Sequence, residues 1–195
     1  MKAIVGVQFH KKESGLLCAS FTENGEDAFC LYKCKDDSFS EEEVLVRIHS
    51  GCITSEVFGM EICDCKWQLD YSIELIEECT NGLVIYLPKQ EGKSNGLFNK
   101  IRSFEYMKKG LPLSDIYKEM GLPSDARSYK FAFNILRYFN IRRIALITNN
   151  PLKLSAFEGS DFIITKRIPA LMPAPNLEIR NLLQTKKLIF NHYID

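Results

Sequence analysis

The sequence lacks an excess of charge of either sign. Its 195 residues include 25 basic and 25 acidic side chains, so the formal net charge is zero. A chain without excess positive charge gives no electrostatic indication of binding nucleic acid or an anionic membrane surface, although a local basic pocket for a phosphate is compatible with it. Hydrophobic residues make up 46% of the chain and charged residues 26%. These values indicate a globular protein long enough to bury a sizeable core.

Long apolar runs are also missing. No stretch approaches the roughly 20 residues that a membrane-spanning helix needs. The N-terminal segment, MKAIVGVQFHKKESG, has no apolar stretch followed by a small-residue cleavage site, so we expect no signal peptide. No repeat, low-complexity segment or flexible linker interrupts the chain. We therefore expect a single domain over residues 1–195, located in the cytoplasm, with its seven cysteines as reduced thiols kept for packing, metal binding or catalysis.

The first 60 residues have the pattern of β-structure. Short apolar runs at 3–9, 15–21, 28–34 and 44–50 are separated by turn residues. This part of the sequence predicts an antiparallel, partly barrel-like β unit. Cys30 and Cys34 lie on one face of the strand predicted over 28–34, and we interpret them as core residues.

The hydrophobic period changes after Cys65. Helical spacing of apolar residues predicts helices that cover residues 67–79, 96–110, 127–140 and 177–190. Compact apolar runs predict buried strands over residues 83–87, 143–148 and 161–168. The alternation of strand and helix predicts an α/β (mixed α+β) protein in three layers, in which an N-terminal antiparallel β-rich part feeds a mixed sheet flanked by helices.

Three cysteines form the sharpest chemical pattern in the chain. Cys52 is followed by Cys63 and Cys65, and three thiolates suit a zinc ion whose fourth position is left for water. Zinc lowers the pKa of bound water enough to supply hydroxide near neutral pH. From the spacing alone, two alternatives stay open: the cysteines are small buried apolar residues, or His49 or Asp64 completes a structural zinc site.

Five segments, in order along the chain, resemble the motifs of GTP cyclohydrolase II. The first, VRIHSGCITSEVFGMEICDCKWQL, is similar to the family's zinc-binding signature. The others are YLPKQEGKSNGLFNKIRSF, MGLPSDARSY, LITNNPLKL and NLEIRNLLQTK. The resemblance covers about residues 44–192, and five motifs in register are far more specific than any one of them.

The resemblance implies a hydrolase that opens the imidazole ring of GTP and releases carbon 8 as formate, with loss of pyrophosphate. The product would be a 2,5-diamino-6-ribosylamino-pyrimidinone phosphate, as in the first step of riboflavin biosynthesis. The resemblance also implies one zinc per chain on Cys52, Cys63 and Cys65, magnesium held mainly by the nucleotide triphosphate, and a homodimer. The family's motifs match this chain at a set of residues implied to bind substrate: Arg47, Ile48, His49, Ser50, Gln68, Glu91, Gly92, Lys93, Thr148 and Lys153.

The resemblance further implies that Asp125 and Arg127 are catalytic. Arg127 matches a residue proposed to attack the α-phosphate, but arginine is almost always protonated, so we favour stabilisation of phosphoryl charge. Asp125 matches the proposed proton acceptor, and it could equally hold Arg127 by a charge-assisted hydrogen bond. From the residues alone, the pair could also be a helix N-cap followed by a surface arginine.

Several residues depart from the family's motifs. Gly51 replaces a Glu, Lys93 replaces an Arg that grips the nucleotide, and Ser94 replaces a Gly. Phe104 stands where the family has a functional Tyr, and Tyr106 would lie about 200° around a helix from it. Leu113 falls where a nucleotide-contacting Thr is expected. These changes leave two alternatives open: a homologue acting on another purine nucleotide or in another pathway, and a catalytically silent zinc- and nucleotide-binding module. A purely structural zinc protein is a third, weaker alternative.

Overall fold

A computed structural model of the chain describes residues 7–8, 15–35, 39 and 43–194. The strands are β1 (Val7–Gln8), β2 (Leu17–Glu23), β3 (Glu26–Lys33), β4 (Val44–Ser50), β5 (Gly82–Leu87), β6 (Arg143–Ile147) and β7 (Ile163–Ile168). The helices are α1 (Ile53–Glu56), α2 (Cys65–Glu78), α3 (Gly96–Lys108), α4 (Leu113–Glu119), α5 (Lys130–Tyr138), α6 (Pro151–Ser155) and α7 (Leu177–Phe190). Within these ranges, every helix is too short or too polar to cross a membrane.

The strands form one seven-stranded mixed sheet in the order β1-β2-β3-β5-β4-β6-β7. Strands β1, β2, β3 and β5 pair antiparallel, whereas β5, β4, β6 and β7 pair in parallel. The predicted mixed α/β fold with a β-rich N-terminal part is confirmed. The assignment of residues 44–50 to an antiparallel, barrel-like unit is wrong, because β4 lies between β5 and β6 and pairs with both in parallel.

Apolar residues cover both faces of the sheet, as expected for three layers. On one face, Val46 and Ile85 belong to the larger buried cluster together with Ile135 and Leu136 of α5. On the other face, Val84 packs with Ile76 of α2. Because side chains alternate along a strand, Arg47 and His49 of β4 lie on the opposite face from Val46. Strand β4 therefore presents apolar side chains to the buried cluster on one face of the sheet and two polar side chains, Arg47 and His49, on the other.

The predicted helix over 127–140 begins later than expected. Helix α5 starts at Lys130 with Tyr129 as its N-cap residue. Asp125 instead accepts hydrogen bonds from the backbone amide and the side chain of Arg127, so Asp125 is not the N-cap of this helix. The segment from 125 to 129 is thereby left as a loop that places both side chains at the edge of the sheet.

Helix α4 was not predicted from the sequence. It follows Pro112, and Gly121 lies just beyond it with a φ of +72°. Ile116 and Tyr117 are buried, at 0% and 5% exposure. A seven-residue helix makes only about two turns, so its apolar pattern is too short to separate it from a loop.

The predictions for the first strand and for the cysteines outside the cluster have different outcomes. The strand predicted over residues 3–9 lies outside the described residues except for Val7–Gln8. The interpretation of Cys30 and Cys34 as core residues is confirmed, since Cys30 is fully buried and Cys34 packs against the same cluster. None of the seven cysteines, all within the described ranges, forms a disulfide.

Candidate active site and metal centre

The candidate site is a cavity of about 240 Å³ at the carboxyl ends of β4, β5 and β6. These three strands are neighbours that point the same way, so the segments that follow them meet at one edge of the sheet. Such an edge is where open α/β sheets bind ligands. The five segments of the sequence motifs are brought together here, although they are spread over more than a hundred residues.

The three predicted zinc ligands lie together in this cavity. Cys52 follows β4, and Cys63 and Cys65 precede and begin α2. Their Sγ atoms all lie within 4.8 Å of one another, and those of Cys52 and Cys63 are 3.6 Å apart. Tetrahedral zinc with Zn–S bonds of about 2.3 Å needs sulfurs roughly 3.8 Å apart. The donor type and the spacing therefore fit a zinc ion.

The alternatives for a fourth protein ligand are already engaged elsewhere. His49 Nε2 lies 2.7 Å from Glu56 Oε1. The Asp64 carboxylate accepts hydrogen bonds from Gln68 and Lys186. Among the residues that the structure describes, the three cysteines are the whole candidate metal cluster. A three-cysteine site that leaves a fourth position open has the pattern of a catalytic zinc site.

A lysine lies against the cysteine cluster. Lys100 Nζ is 2.9 Å from Cys52 Sγ and 2.7 Å from Glu91 Oε1. Hydrogen bonds from Cys63, Cys65 and Lys100 lower the pKa of the Cys52 thiol, while the same contacts between thiols raise the pKa of Cys63 and Cys65. One sulfur of the cluster is therefore already stabilised as a thiolate, the form that binds metal.

Glu91 connects the segment after Cys52 to the rest of the site. One carboxylate oxygen accepts from the Ile53 amide at 2.6 Å, and the other accepts from the Gly92 amide and from Lys100. The side chain of Glu91 is only 10% exposed. The Glu91 carboxylate therefore joins three parts of the protein: the segment directly after Cys52, its own loop and Lys100 of α3.

His49 lines the cavity and belongs to a buried hydrogen-bond network. Its Nδ1 accepts from Arg47 and its Nε2 lies against Glu56, which also accepts from the Tyr86 hydroxyl at 2.6 Å. Burial and the neighbouring Arg47 outweigh Glu56 and lower the pKa of His49 to about 4. The imidazole is therefore neutral at pH 7, with its proton on Nε2, and its orientation is fixed from both sides.

Asp125 and Arg127 form a close pair at the cavity wall. Arg127 donates from Nε and from a terminal nitrogen to the Asp125 carboxylate. The Arg127 side chain is 14% exposed, so the alternative of a surface arginine is wrong. Burial on its own would raise the pKa of Asp125, but the hydrogen bonds and charge of Arg127 lower it overall. Arg127 also lies 3.5 Å from the Ser50 hydroxyl, which connects the pair to the end of β4.

The cavity is strongly basic although the chain is neutral. Six basic side chains line it, against the two acidic side chains of Glu91 and Asp125. Burial lowers the pKa of Lys93 to about 8 and that of Arg47 to about 10, and burial followed by the charge of Arg47 lowers the pKa of Lys153. Burial disfavours these cationic forms, and an anionic ligand beside the six basic side chains would favour them.

Four of the departures from the family motifs have visible structural consequences. A side chain at Gly51 would come within 3.0 Å of the Tyr86 hydroxyl and 3.1 Å of Pro88, so this chain has little room for one. Lys93 and Ser94 both have left-handed φ values, of +58° and +65°, where glycine is favoured. Phe104 lines the cavity and Tyr106 does not, as the helical spacing predicts.

The structure brings most of the expected substrate-binding residues to the cavity wall. These are Arg47, His49, Ser50, Gln68, Glu91, Gly92, Lys93, Thr148 and Lys153, together with Asp125 and Arg127. Ile48 is not among them: its side chain is in the core, and its carbonyl oxygen accepts from Lys153 at 2.7 Å. Ile48 could therefore contact substrate only through its backbone.

Several lining residues were missed. Lys100, Asn149 and Lys186 lie inside motifs that resemble the family, so their position in those motifs was a usable signal. Tyr117, Phe190 and His192 had no such signal. Burial, followed by the charges of Lys186 and Arg127, lowers the pKa of His192 to about 4, which makes it neutral at pH 7.

Comparison with known proteins agrees with this geometry. The family model of GTP cyclohydrolase II matches residues 10–169. The chain is 42% identical over 170 residues to a GTP cyclohydrolase-2 of Picrophilus torridus, covering 87% of this chain and 86% of that protein. It is 37% identical over 161 residues to the riboflavin biosynthesis protein RibBA of Bacillus mycoides, and 36% identical over 158 residues to a probable bifunctional chloroplastic RIBA 1 of Oryza sativa.

The extent of these matches differs. The match covers 83% of this chain but only 40% of the Bacillus protein, and 81% of this chain but 29% of the rice protein. A solved structure of a putative hydrolase from Agrobacterium vitis S4 aligns at a TM-score of 0.32 and 11% identity, covering 86% of this chain and 52% of that chain, a likeness too low to support an argument. The family model spans most of the chain, and the Picrophilus relative is matched over nearly its full length. The chain belongs to the GTP cyclohydrolase II family.

Proposed function

We propose that this chain is a zinc-dependent hydrolase that opens the imidazole ring of GTP, releasing formate and pyrophosphate, in the first step of riboflavin biosynthesis. Membership of the family makes it a hydrolase, and the relatives' names support the pathway. The main observation behind the proposal is that three thiols and the Asp125–Arg127 pair line the same basic cavity. Ring hydrolysis and phosphoanhydride cleavage need those two kinds of group in reach of one nucleotide.

The cysteine cluster defines where the base would lie. Cys52, Cys63 and Cys65 would hold one zinc ion, which when bound supplies Lewis acidity and activates water for hydrolysis. Lys100 balances the negative charge of the thiolates, and Glu91 keeps Lys100 and the segment after Cys52 in place. On this proposal, the carbon to be released would lie at the α3 side of the cavity, beside the cysteines.

The other basic residues would bind the triphosphate. Arg47, Lys93 and Lys153 supply positive charge within the cavity, and magnesium would be held mainly by the nucleotide. Arg127 is positioned by both carboxylate oxygens of Asp125, and it stabilises the charge that develops on the α-phosphate as pyrophosphate leaves. Because a paired, buried guanidinium stays protonated, we assign it charge stabilisation and not nucleophilic attack.

We further propose a cytoplasmic homodimer. Seven cysteines without a disulfide support a reducing compartment. Exposed large apolar side chains on the segment after α1 and at the start of α3 support a self-association surface: Val57, Phe58, Leu97 and Phe98 are 68%, 71%, 41% and 73% exposed. Sedimentation equilibrium should give twice the mass of one chain, and the mass of one chain would refute the dimer.

A catalytically silent zinc- and nucleotide-binding module is the second candidate. Phe104 at the cavity wall, in place of the tyrosine of the family motif, is the observation that favours it. Such a module would raise its melting temperature with zinc and GTP while the purine absorbance stayed constant.

One incubation separates the two functions. The zinc-loaded protein is mixed with GTP and magnesium, formate is assayed, and the nucleotide product is identified by mass spectrometry. Formate with a diaminopyrimidinone monophosphate is the expected result. Formate with the triphosphate retained would remove the proposed role of Arg127. Intact GTP, followed by intact adenine nucleotides, would refute the hydrolase.

A further inference from the structure

One wall of the cavity is a face of α3 with few free hydrogen-bonding groups for a ligand. Lys100, Ser103, Phe104 and Met107 of α3 all line the cavity, as their spacing along a helix requires. The Ser103 hydroxyl donates to the Lys100 carbonyl oxygen at 2.6 Å, and the Lys100 ammonium contacts Cys52 and Glu91. Phe104 and Met107 contribute no hydrogen-bond donor.

A tyrosine reaches this wall from the next helix. Tyr117 of α4 is 5% exposed and is the one tyrosine among the described residues that line the cavity. Its side chain interacts with the Ser103 side chain of α3. Helix α4 packs against α3.

The position of the Tyr117 hydroxyl follows from its neighbours. A Cβ atom built on Gly92 would lie 3.4 Å from that hydroxyl and 3.1 Å from the Lys100 Cβ. The hydroxyl is therefore next to the loop that carries Lys93 and next to the lysine that reaches the cysteine cluster. The same Cβ would lie only 2.8 Å from the Gly96 carbonyl oxygen, so a side chain at position 92 has no room beside this wall.

We propose that Tyr117 supplies the phenol hydroxyl that Phe104 lacks, donating a hydrogen bond to the nucleotide bound beside the cysteine cluster. This inference rests on the proposed function, because it takes the ligand to be a purine nucleotide. Burial raises the pKa of Tyr117, so the phenol keeps its proton and can donate at neutral pH. Tyr117 thus belongs to the proposed substrate-binding wall although it lies outside the five segments that resemble the family's motifs.

The test compares three variants with the wild-type protein for GTP binding. Chelator-treated protein with magnesium is titrated with GTP by calorimetry, so that affinity is measured without turnover. Tyr117→Phe should weaken GTP binding about three- to tenfold, the effect of losing one hydrogen bond. Adding Phe104→Tyr to Tyr117→Phe should restore affinity, because the new hydroxyl enters the same wall. Tyr106→Phe, on the same helix but outside the cavity, is the matched control and should bind as the wild type does.

The outcomes distinguish failure of the role of Tyr117 from failure of the proposed function. Unchanged affinity of Tyr117→Phe, or failure of Phe104→Tyr to restore it while melting temperatures stay equal, overturns the inference and leaves the proposed function standing. A wild-type protein that binds no GTP overturns both. A structural role alone would lower the melting temperature of Tyr117→Phe without being reversed by Phe104→Tyr.

Discussion

At the scale of single residues, Lys93 shows how the cavity changes the charge of a side chain. Its ammonium group lies 4.2 Å from the centre of the Phe190 ring of α7. Burial lowers its pKa to about 8, partly offset by the negative charge of Asp125. Near neutral pH the group is still protonated, and it loses its proton as the pH rises through about 8.

The affinity for GTP should therefore fall as the pH rises from 7 to 9. If Lys93 binds phosphate only when protonated, a pKa of about 8 limits the loss to about tenfold. The measurement is calorimetric titration with GTP of chelator-treated protein at both pH values. Lys93→Arg is the control, because arginine stays protonated throughout and should show a smaller change over the same range. Equal pH dependence in the two proteins would exclude Lys93 as the titrating phosphate ligand.

The sequence located residues that belong to contiguous motifs and missed residues that contact the site from other elements. Cys52, Cys63 and Cys65 were found because thiols at this spacing in a recognisable segment indicate a metal. Tyr117 was not found, because its place in the wall depends on how α4 packs across α3. That packing depends on tertiary contacts, which no local pattern around position 117 records.

At the scale of elements, the loop between β5 and α3 adopts an unusual backbone. Gly92, Lys93 and Ser94 have consecutive φ values of +58°, +58° and +65°. Left-handed conformations cost residues other than glycine about 1–2 kcal/mol. Ser94 stands where the family motif has a glycine, and its positive φ is the conformation that glycine adopts without this cost.

Ser94→Gly should raise the free energy of unfolding by about 1 kcal/mol, because glycine adopts this conformation without the Cβ penalty. Urea denaturation of the two proteins measures the difference. Ser155→Gly, within α6, is the matched control and should lower stability by about 0.5 kcal/mol, since glycine is unfavourable in a helix. A loss of stability in Ser94→Gly would contradict the strain.

Helix α7 is fastened to the loop that carries two of the cysteines. Lys186 Nζ lies 2.7 Å from Asp64 Oδ1, and the Asp64 side chain is 1% exposed. Asn176 caps the helix by accepting from the Ile179 amide, and its own amide donates to the Glu61 carbonyl oxygen. The sequence predicted the helix at residues 177–190 correctly but not this attachment.

Lys186→Met should lower the free energy of unfolding by about 3 kcal/mol, because it leaves a buried carboxylate without its cationic partner. Chemical denaturation of the chelator-treated protein measures this cost. Lys66→Met removes an exposed pair with Asp70, whose side chains are 53% and 49% exposed, and should change stability by less than about 1 kcal/mol. Similar effects of the two substitutions would mean that the Lys186–Asp64 pair does not stabilise the fold.

At the scale of the whole molecule, the site depends on the mixed sheet. Strands β4, β5 and β6 lie side by side and in parallel, so their following loops converge although they are far apart in sequence. The sequence predicted the strands and the fold class. It could not predict that β4 pairs between β5 and β6, because the alternation of side chains is the same whichever neighbour a strand pairs with.

Zinc binding should join the end of β4 to the start of α2, because its ligands lie before and after α1. Wild-type protein should contain one zinc per chain by mass spectrometry, and zinc should raise its melting temperature. Cys63→Ser should lose most of the bound zinc and most of that temperature rise. Cys79→Ser is the control, because Cys79 lies outside the cluster and its thiol donates to the Ile76 carbonyl oxygen. Full zinc content in Cys63→Ser would refute the proposed site.

The last described residues have a practical consequence for anyone who purifies this protein. His192 lines the cavity, and the Tyr193 amide donates to the carbonyl oxygen of Asn149 in the loop after β6. A polyhistidine tag fused after Asp195 would start within a few residues of the cavity wall. Its imidazoles would compete for zinc and could reach the basic pocket, so metal content and kinetics should be measured on protein from which any such tag has been cleaved.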